Sequence, residues 1–296
     1  MLQPSALKVR EARFEDLEAI RLIYNEGIAD GIATLDEDPK APDEIVTWWA
    51  DHGGRYAVLV AESTDAAILG WASLNPYSHR CAYRGVADLS VYVARRSRGT
   101  GVGSALLRAL EKTAKGHDFH KIVLFTLPFN DGGQRLYRRN AYREVGVFKE
   151  QGRLDGHFVD VMAMEKILRR SVLFVCRHNT GRSQMAEAYL RAFSAGTVDV
   201  ASAGTIAADA PNDVVVAAMN EDGIDISRAR PKLIDARIAA QADLIITMGC
   251  DVQGIPKVDD DWALRDPKNE PIAVVREIRD EVKAKARALY ESLRAG

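Results

Sequence analysis

The 296-residue sequence has only three cysteines, Cys81, Cys176 and Cys250, far apart along the chain; this excludes a scaffold built on disulfides and leaves reactive thiols open. Nor is there a surplus of charge. Forty basic residues against 42 acidic ones give a formal net charge of −2, so neither nucleic acid nor an anionic membrane is expected as a partner, and any anion must be bound locally. No apolar run reaches the length of a membrane span, and the opening stretch "MLQPSALKVREARFEDLEAI" becomes charged too early for a secretory signal, so the expected location is cytoplasmic. The histidines His52, His117, His120 and His157 fall into no ligand spacing, and no structural or catalytic metal is expected. Internal repeats and low-complexity linkers are missing as well.

What is there is ordinary for a globular protein: 47% hydrophobic and 28% charged residues, in a length that suits two domains with a core each. The first part reads as "ALKVREA", a short strand, then a helix with Leu17, Ile20, Tyr24 and Ile28 on one face. Strands follow in "YAVLVAE", "AAILGWASL", "ADLSVYVA", "HKIVLFTL" and "FVDVMAMEKIL", with the helix "SALLRALEKTA" among them: an α/β arrangement with a mixed, mostly antiparallel sheet. At Leu168 to Ser171 the pattern restarts. Strands in "VLFVC", "DVASAG" and "ADLIITMGC" alternate with helices, and the last helix carries Val275, Ile278, Val282, Ala286, Leu289 and Leu293 in one stripe. That order predicts a doubly wound parallel sheet, with domains over 1–168 and 171–296.

In "SVLFVCRHNTGRSQMAEAYL", a buried strand ends at Cys176, and Met185, Ala186, Tyr189, Leu190 and Phe193 form a helical face, so Cys176 to Arg182 must be the strand-to-helix turn. Ligands bind at such turns. The amides of Arg177, His178, Asn179, Thr180, Gly181, Arg182 and Ser183 can converge on a tetrahedral oxyanion at the positive end of the helix. The same field favours a thiolate, which makes Cys176 a candidate nucleophile. Arg182 can grip two anion oxygens in a fork; Ser183 can donate to the sulfur and Asn179 can hold the loop.

"FVCRHNTGRSQMAEAYL", "VASAGT", "EDGIDISRARPKLI" and "LIITMGC" resemble the low-molecular-weight protein tyrosine phosphatase family, and in particular its arsenate reductase branch, from Ser171 onward. The resemblance implies that Cys176 attacks phosphorus or arsenic and that Asp266, in "WALRDPKNE", is the acid that protonates the leaving oxygen; an Asp-Pro pair is also a common turn. Cys250 is the candidate second thiol, or an inert core cysteine. The sequence departs from relatives with an internal disulfide relay, because "DVQGIP" follows where they carry another cysteine. Three options stay open: an external low-molecular-weight thiol or redoxin, a Cys176–Cys250 disulfide, or phosphatase chemistry.

Upstream, "ADLSVYVARRSRGTGVGSALLRAL" carries Arg98, Gly101 and Gly103 as R-x-x-G-x-G between a strand and a helix, where amides can cradle a pyrophosphate. With "FNDGGQRLYRRNAYREVG", this segment resembles the GNAT acetyltransferases, and "IYNEGIADGIATLDEDP", "GWASLNPYSHRCAYRGVADLSVYV" and "EQGRLDGHFVDVMAMEKIL" are similar to the phosphinothricin and arsinothricin N-acetyltransferases among them. The resemblance implies acetyl-CoA as cosubstrate, held by Val91, Val93, Arg98, Gly99, Thr100, Gly101, Val102, Gly103, Ser104 and Asn130. It implies Asp88 as general base, where glutamate is common, and Tyr137 as proton donor to the departing thiolate; a solvated strand-edge aspartate and a core tyrosine are the plain alternatives. Ala141 and Tyr142 replace the usual Gly-Phe. A phosphinate or arsonate acceptor also needs cations, and Arg80 and Arg84 are candidates by position. The expected partners are small-molecule substrates and a thiol reductant, with the oligomeric state open and a homodimer among the options.

Overall fold

A computed structural model describes residues 7–206, 208–249, 255 and 257–295. The chain divides after Leu168 into two compact units, each with its own sheet. The first runs β1 (Lys8–Glu11), α1 (Leu17–Asp30), α2 (Pro42–Ala50), β2 (Val58–Glu62), β3 (Ile68–Pro76), β4 (Val86–Val93), α3 (Val102–Gly116), β5 (Lys121–Thr126), α4 (Asp131–Arg139), β6 (Arg143–Leu154) and β7 (His157–Ile167). Its seven strands lie in the order β1-β2-β3-β4-β5-β7-β6. Every pairing is antiparallel except β4 with β5.

That parallel pairing spans only Val86↔Lys121 to Asp88↔Val123. Beyond Asp88 the ladder stops, and the gap holds the first site. Alternation along β4 sends Leu89, Val91 and Val93 to the face covered by α3, where Leu106, Leu107 and Leu110 are fully buried. Tyr92 packs on the opposite face with Ile20, Ile23 and Trp71, under α1 and α2. Each such buried side chain contributes roughly 1.5–3 kcal/mol against leaving it in water. Helix α2 starts with proline at its first position, and the Glu44 carboxylate accepts from the Ala41 amide at 2.8 Å.

The second unit runs β8 (Arg170–Cys176), α5 (Arg182–Ser194), β9 (Val198–Gly204), α6 (Asp213–Glu221), α7 (Ala236–Gln241), β10 (Leu244–Thr247), β11 (Asp260–Asp261) and α8 (Ile272–Ala295). Its strands lie β11-β10-β8-β9, all parallel. Val172, Phe174 and Cys176 face α5 and α8, packing against Met185, Tyr189, Val275, Ile278, Val282 and Ala286. Leu173 and Val175 face the other way, against Ala203, Ala239 and Ile245. Both faces of the sheet are covered, as a parallel sheet requires. The chain leaves β8 for β9 on one side and returns to β10 on the other, so the topological switch lies at the carboxyl end of β8. Cys176 is the last residue of that strand. The expected mixed sheet and parallel sheet are both found.

Candidate active sites

The turn from β8 to α5 is built around Asn179, a fully buried side chain at φ +56°. Asparagine tolerates this left-handed conformation, and here its side chain fixes the loop. Its Nδ2 donates to Ser183 Oγ at 2.9 Å and to Ser202 Oγ at 2.8 Å, while its Oδ1 accepts from the Lys232 amide at 2.9 Å. Gln184 Nε2 donates to the Asn179 carbonyl at 2.7 Å, and Ser202 Oγ donates to Glu187 Oε2 at 2.5 Å. Gly204, ending β9, lies so close to the loop that an added Cβ would meet the backbone of His178 at 2.8 Å. With the loop held so, the Asn179 amide donates to Cys176 Sγ at 3.1 Å and Ser183 Oγ lies 2.9 Å from it. Both contacts suit a sulfur anion.

Cys176 is 4% exposed, yet it lines a cavity of about 270 Å³ with His178, Thr180, Gly181, Arg182, Asp266 and Lys268. The Arg182 guanidinium, on a residue 6% exposed, is fixed by Nη1 donating to the carbonyls of Met248 at 2.9 Å and Leu264 at 3.0 Å. Its Nη2 donates to Asp266 Oδ2 at 2.7 Å. That carboxylate is half exposed and is further tied by the Lys268 amide at 3.0 Å. The cavity therefore joins a thiol, a forked cation and a carboxyl group, which is what attack on a tetrahedral oxyanion and protonation of its leaving oxygen require.

Among the other residues assigned to the loop, Arg177 points to solvent and offers its carbonyl to the Ile206 amide at 2.8 Å. The Thr180 carbonyl accepts from Asn212 at 2.9 Å, and Asn212 caps α6 through its Oδ1. Asn212, Pro267 and Lys268 also line the cavity and were not read from the sequence. Lys268 follows the Asp-Pro pair, and that adjacency was the available signal. Cys250 lies outside the described residues.

In the first unit the gap between β4 and β5 opens into a cavity of about 520 Å³ lined by Asp88, Val91, Val93, Arg98, Gly99, Gly101, Gly103, Ser104, Asn130 and Tyr137. Gly99 and Gly101 take φ of +76° and +96°, conformations that a side chain would strain, and Gly101 caps α3. Val102 turns into the core, leaving only its backbone for a ligand, and Thr100 bonds back to the Ser97 carbonyl at 2.7 Å. Arg98 is tied to Asp30 at 2.6 Å and to the Val93 carbonyl at 3.1 Å. Asn130 caps α4, its Oδ1 accepting from Gly133 at 2.9 Å. The positive-φ glycines and the open start of a 15-residue helix fit the pyrophosphate of acetyl-CoA.

Burial raises the Asp88 carboxyl to about 6, against hydrogen bonds from Asn75 and the backbone that lower it. A group so poised suits a general base near neutral pH. Burial, with the Asp88 charge nearby, holds the Tyr137 phenol well above its usual range, so it carries a proton to give. Arg80 and Arg84 sit at the surface, flanking the 3-10 turn Cys81–Tyr83.

Folds and sites together define two modules in one chain: one with a deep cleft beside a glycine-rich helix start, and one in which a cysteine, an arginine and an aspartate share a cavity. Residues 19–142 match the Acetyltransferase (GNAT) family, and residues 171–296 match the Low molecular weight phosphotyrosine protein phosphatase family. A phosphinothricin N-acetyltransferase of Streptomyces coelicolor is 32% identical over 55% of this chain and 96% of its own. A glutaredoxin arsenate reductase of Synechocystis is 34% identical over 42% of this chain and 98% of its own. The crystal structure of a GNAT superfamily phosphinothricin acetyltransferase from Sinorhizobium meliloti in complex with acetyl-CoA is 28% identical, with a TM-score of 0.52, over 55% of this chain and 88% of that one. The chain belongs to both families: an N-acetyltransferase domain of the GNAT family is fused to a domain of the low-molecular-weight phosphatase family that has arsenate reductases among its relatives.

Proposed function

We infer that the protein is a bifunctional enzyme of arsenic detoxification, which N-acetylates an arsinothricin- or phosphinothricin-like amino acid with acetyl-CoA and reduces arsenate to arsenite. The observation that carries the second activity is Cys176 Sγ, held by the Asn179 amide at 3.1 Å on a cavity shared with Arg182 and Asp266. Arsenate enters on the loop amides and the Arg182 fork. The Cys176 thiolate forms an S–As bond as one oxygen, protonated by Asp266, leaves as water. A second thiol, external low-molecular-weight thiol or redoxin, attacks Cys176 Sγ; the S–S bond forms, the S–As electron pair passes to arsenic, and arsenite departs. In the first unit Asp88 takes a proton from the acceptor ammonium and Tyr137 returns one to the departing thiolate. Both chemistries suit a reducing cytoplasm, and no helix among the described residues is long and apolar enough to cross a membrane.

The test is product analysis. Purified protein given arsenate with glutathione or glutaredoxin is expected to release arsenite, and given acetyl-CoA with phosphinothricin to release free CoA; Cys176→Ser abolishes only the first. Absence of both products overturns the reading. Hydrolysis of p-nitrophenyl phosphate lost in Cys176→Ser, without arsenite, makes the second unit a phosphatase instead, a role that the Asp266 carboxyl at the cavity would equally serve.

A further inference from the structure

Opposite Asp88 in the β3–β4 register stands Asn75. Its Nδ2 donates to Asp88 Oδ2 at 3.2 Å and to Ser90 Oγ at 3.1 Å. Its Oδ1 accepts from Ser73 Oγ at 2.9 Å and meets His52 Nε2 at 3.0 Å. The other ring nitrogen, Nδ1, lies 2.7 Å from the Trp48 carbonyl, in the helix that ends beside His52, and the Trp48 ring packs on the imidazole at 4.3 Å between centroids. The ring is thus pinned between the Trp48 carbonyl and the Asn75 carboxamide. The carboxamide orientation follows from the Asp88 side: turned over, Asn75 would set its oxygen against the Asp88 carboxylate.

We propose that His52 and Asn75 are positioning residues for Asp88: the His52 ring, with Ser73, fixes the carboxamide, and the carboxamide holds the carboxylate in its charged form. This rests on the reading of Asp88 as the acetyl-transfer base. The arrangement answers the shortness of that base. An aspartate carboxyl stands one methylene nearer the strand than a glutamate would, where burial disfavours its charge; a donor from the neighbouring strand opposes that at the spot. The titratable groups around the network are Asp88 from β4, Tyr137 from α4, which feels the Asp88 charge, and Tyr24, Asp36, Lys40, Glu44 and Tyr92, which line one cavity with Trp48 and Ser90; Asp51 and Arg55 flank His52 in sequence. Ser73, Asn75 and Ser90 carry no charge.

The test titrates the carboxyl directly in the full chain. In protein labelled with ¹³C at aspartate carboxyls, the resonance missing from Asp88→Asn is followed against pH. Asn75→Leu and His52→Phe, which keep bulk and ring packing, are expected to move its inflection upward by about half a pH unit or more, because each weakens a hydrogen bond to the charged form. A role in folding alone would lower stability and leave the inflection in place. Should either variant not fold, Ser73→Ala removes the other donor to Asn75 Oδ1 and is expected to shift the inflection in the same direction. An inflection unmoved in every folded variant overturns the proposal. The reading of the base is tested separately: Asp88→Asn retaining full acetyl transfer to phosphinothricin would sink that reading, whatever the titration shows.

Discussion

Replacing Asn179 by alanine tests whether one buried side chain holds the thiol loop. The change removes both Nδ2 donors and the acceptor of the Lys232 amide. The Lys232 N–H loses its partner, at about 1–3 kcal/mol. Ser183 still has Cys176 Sγ, and Ser202 still has Glu187, so each loses one bond of about 0.5–1.5 kcal/mol rather than all its pairing. Alanine at φ +56° adds about 1 kcal/mol of backbone strain that asparagine bears more easily. Together these come to about 3–7 kcal/mol, a large share of the roughly 5–15 kcal/mol that a domain has. The assay is urea unfolding of the whole chain read by pulse proteolysis and mass spectrometry, which reports the two units separately. The unit beginning at Arg169 should unfold at much lower urea, and the first unit at its usual midpoint. A loss under about 1 kcal/mol for Asn179→Ala would refute the reasoning.

Acetyl transfer should fall about tenfold per pH unit below about 6 and level off above it, since Asp88 must be ionised to take a proton and protonates as pH falls through that value; kcat against pH, at saturating acceptor, checks this. Tyr137→Phe is expected to lower kcat about 10–100-fold with little change in KM for acetyl-CoA, because it removes a proton donor and leaves the ring; steady-state kinetics decide. Arg182→Lys should weaken arsenate or phosphate binding about 100-fold, as one ammonium cannot hold the Met248 and Leu264 carbonyls and fork an anion together; competition with a chromogenic phosphate ester measures it. An unchanged inhibition constant would remove Arg182 from the cradle.

The strand β8, its loop and α5 were legible because the apolar run stops at Cys176 and a helical face begins at Met185, so the turn between them had nowhere else to be. Strand β6 was not. It is an edge strand with most of its residues exposed, and its polar composition carries no period-two signal. Helix α2 was missed too, since one buried residue, Ile45, gives no stripe to read. At the sites, Cys176 and Arg182 share a short loop and showed themselves through spacing. Arg182 and Asp266 are 84 positions apart and meet only because β10 and the segment after β11 end at the same sheet edge. The contacts among His52, Asn75 and Asp88 depend on the register of β3 with β4 and on where α2 ends, and neither is written in local sequence.

The Arg182–Asp266 ion pair has a bearing on which anions the second unit will admit. A guest must displace a resident carboxylate of single charge, already tethered and already close. Chloride or acetate brings no more charge than the group it would evict, and no more oxygens. A doubly charged tetrahedral ion brings both, and the loop amides greet it besides. The salt bridge is thus expected to set a threshold on charge density that small monoanions do not pass.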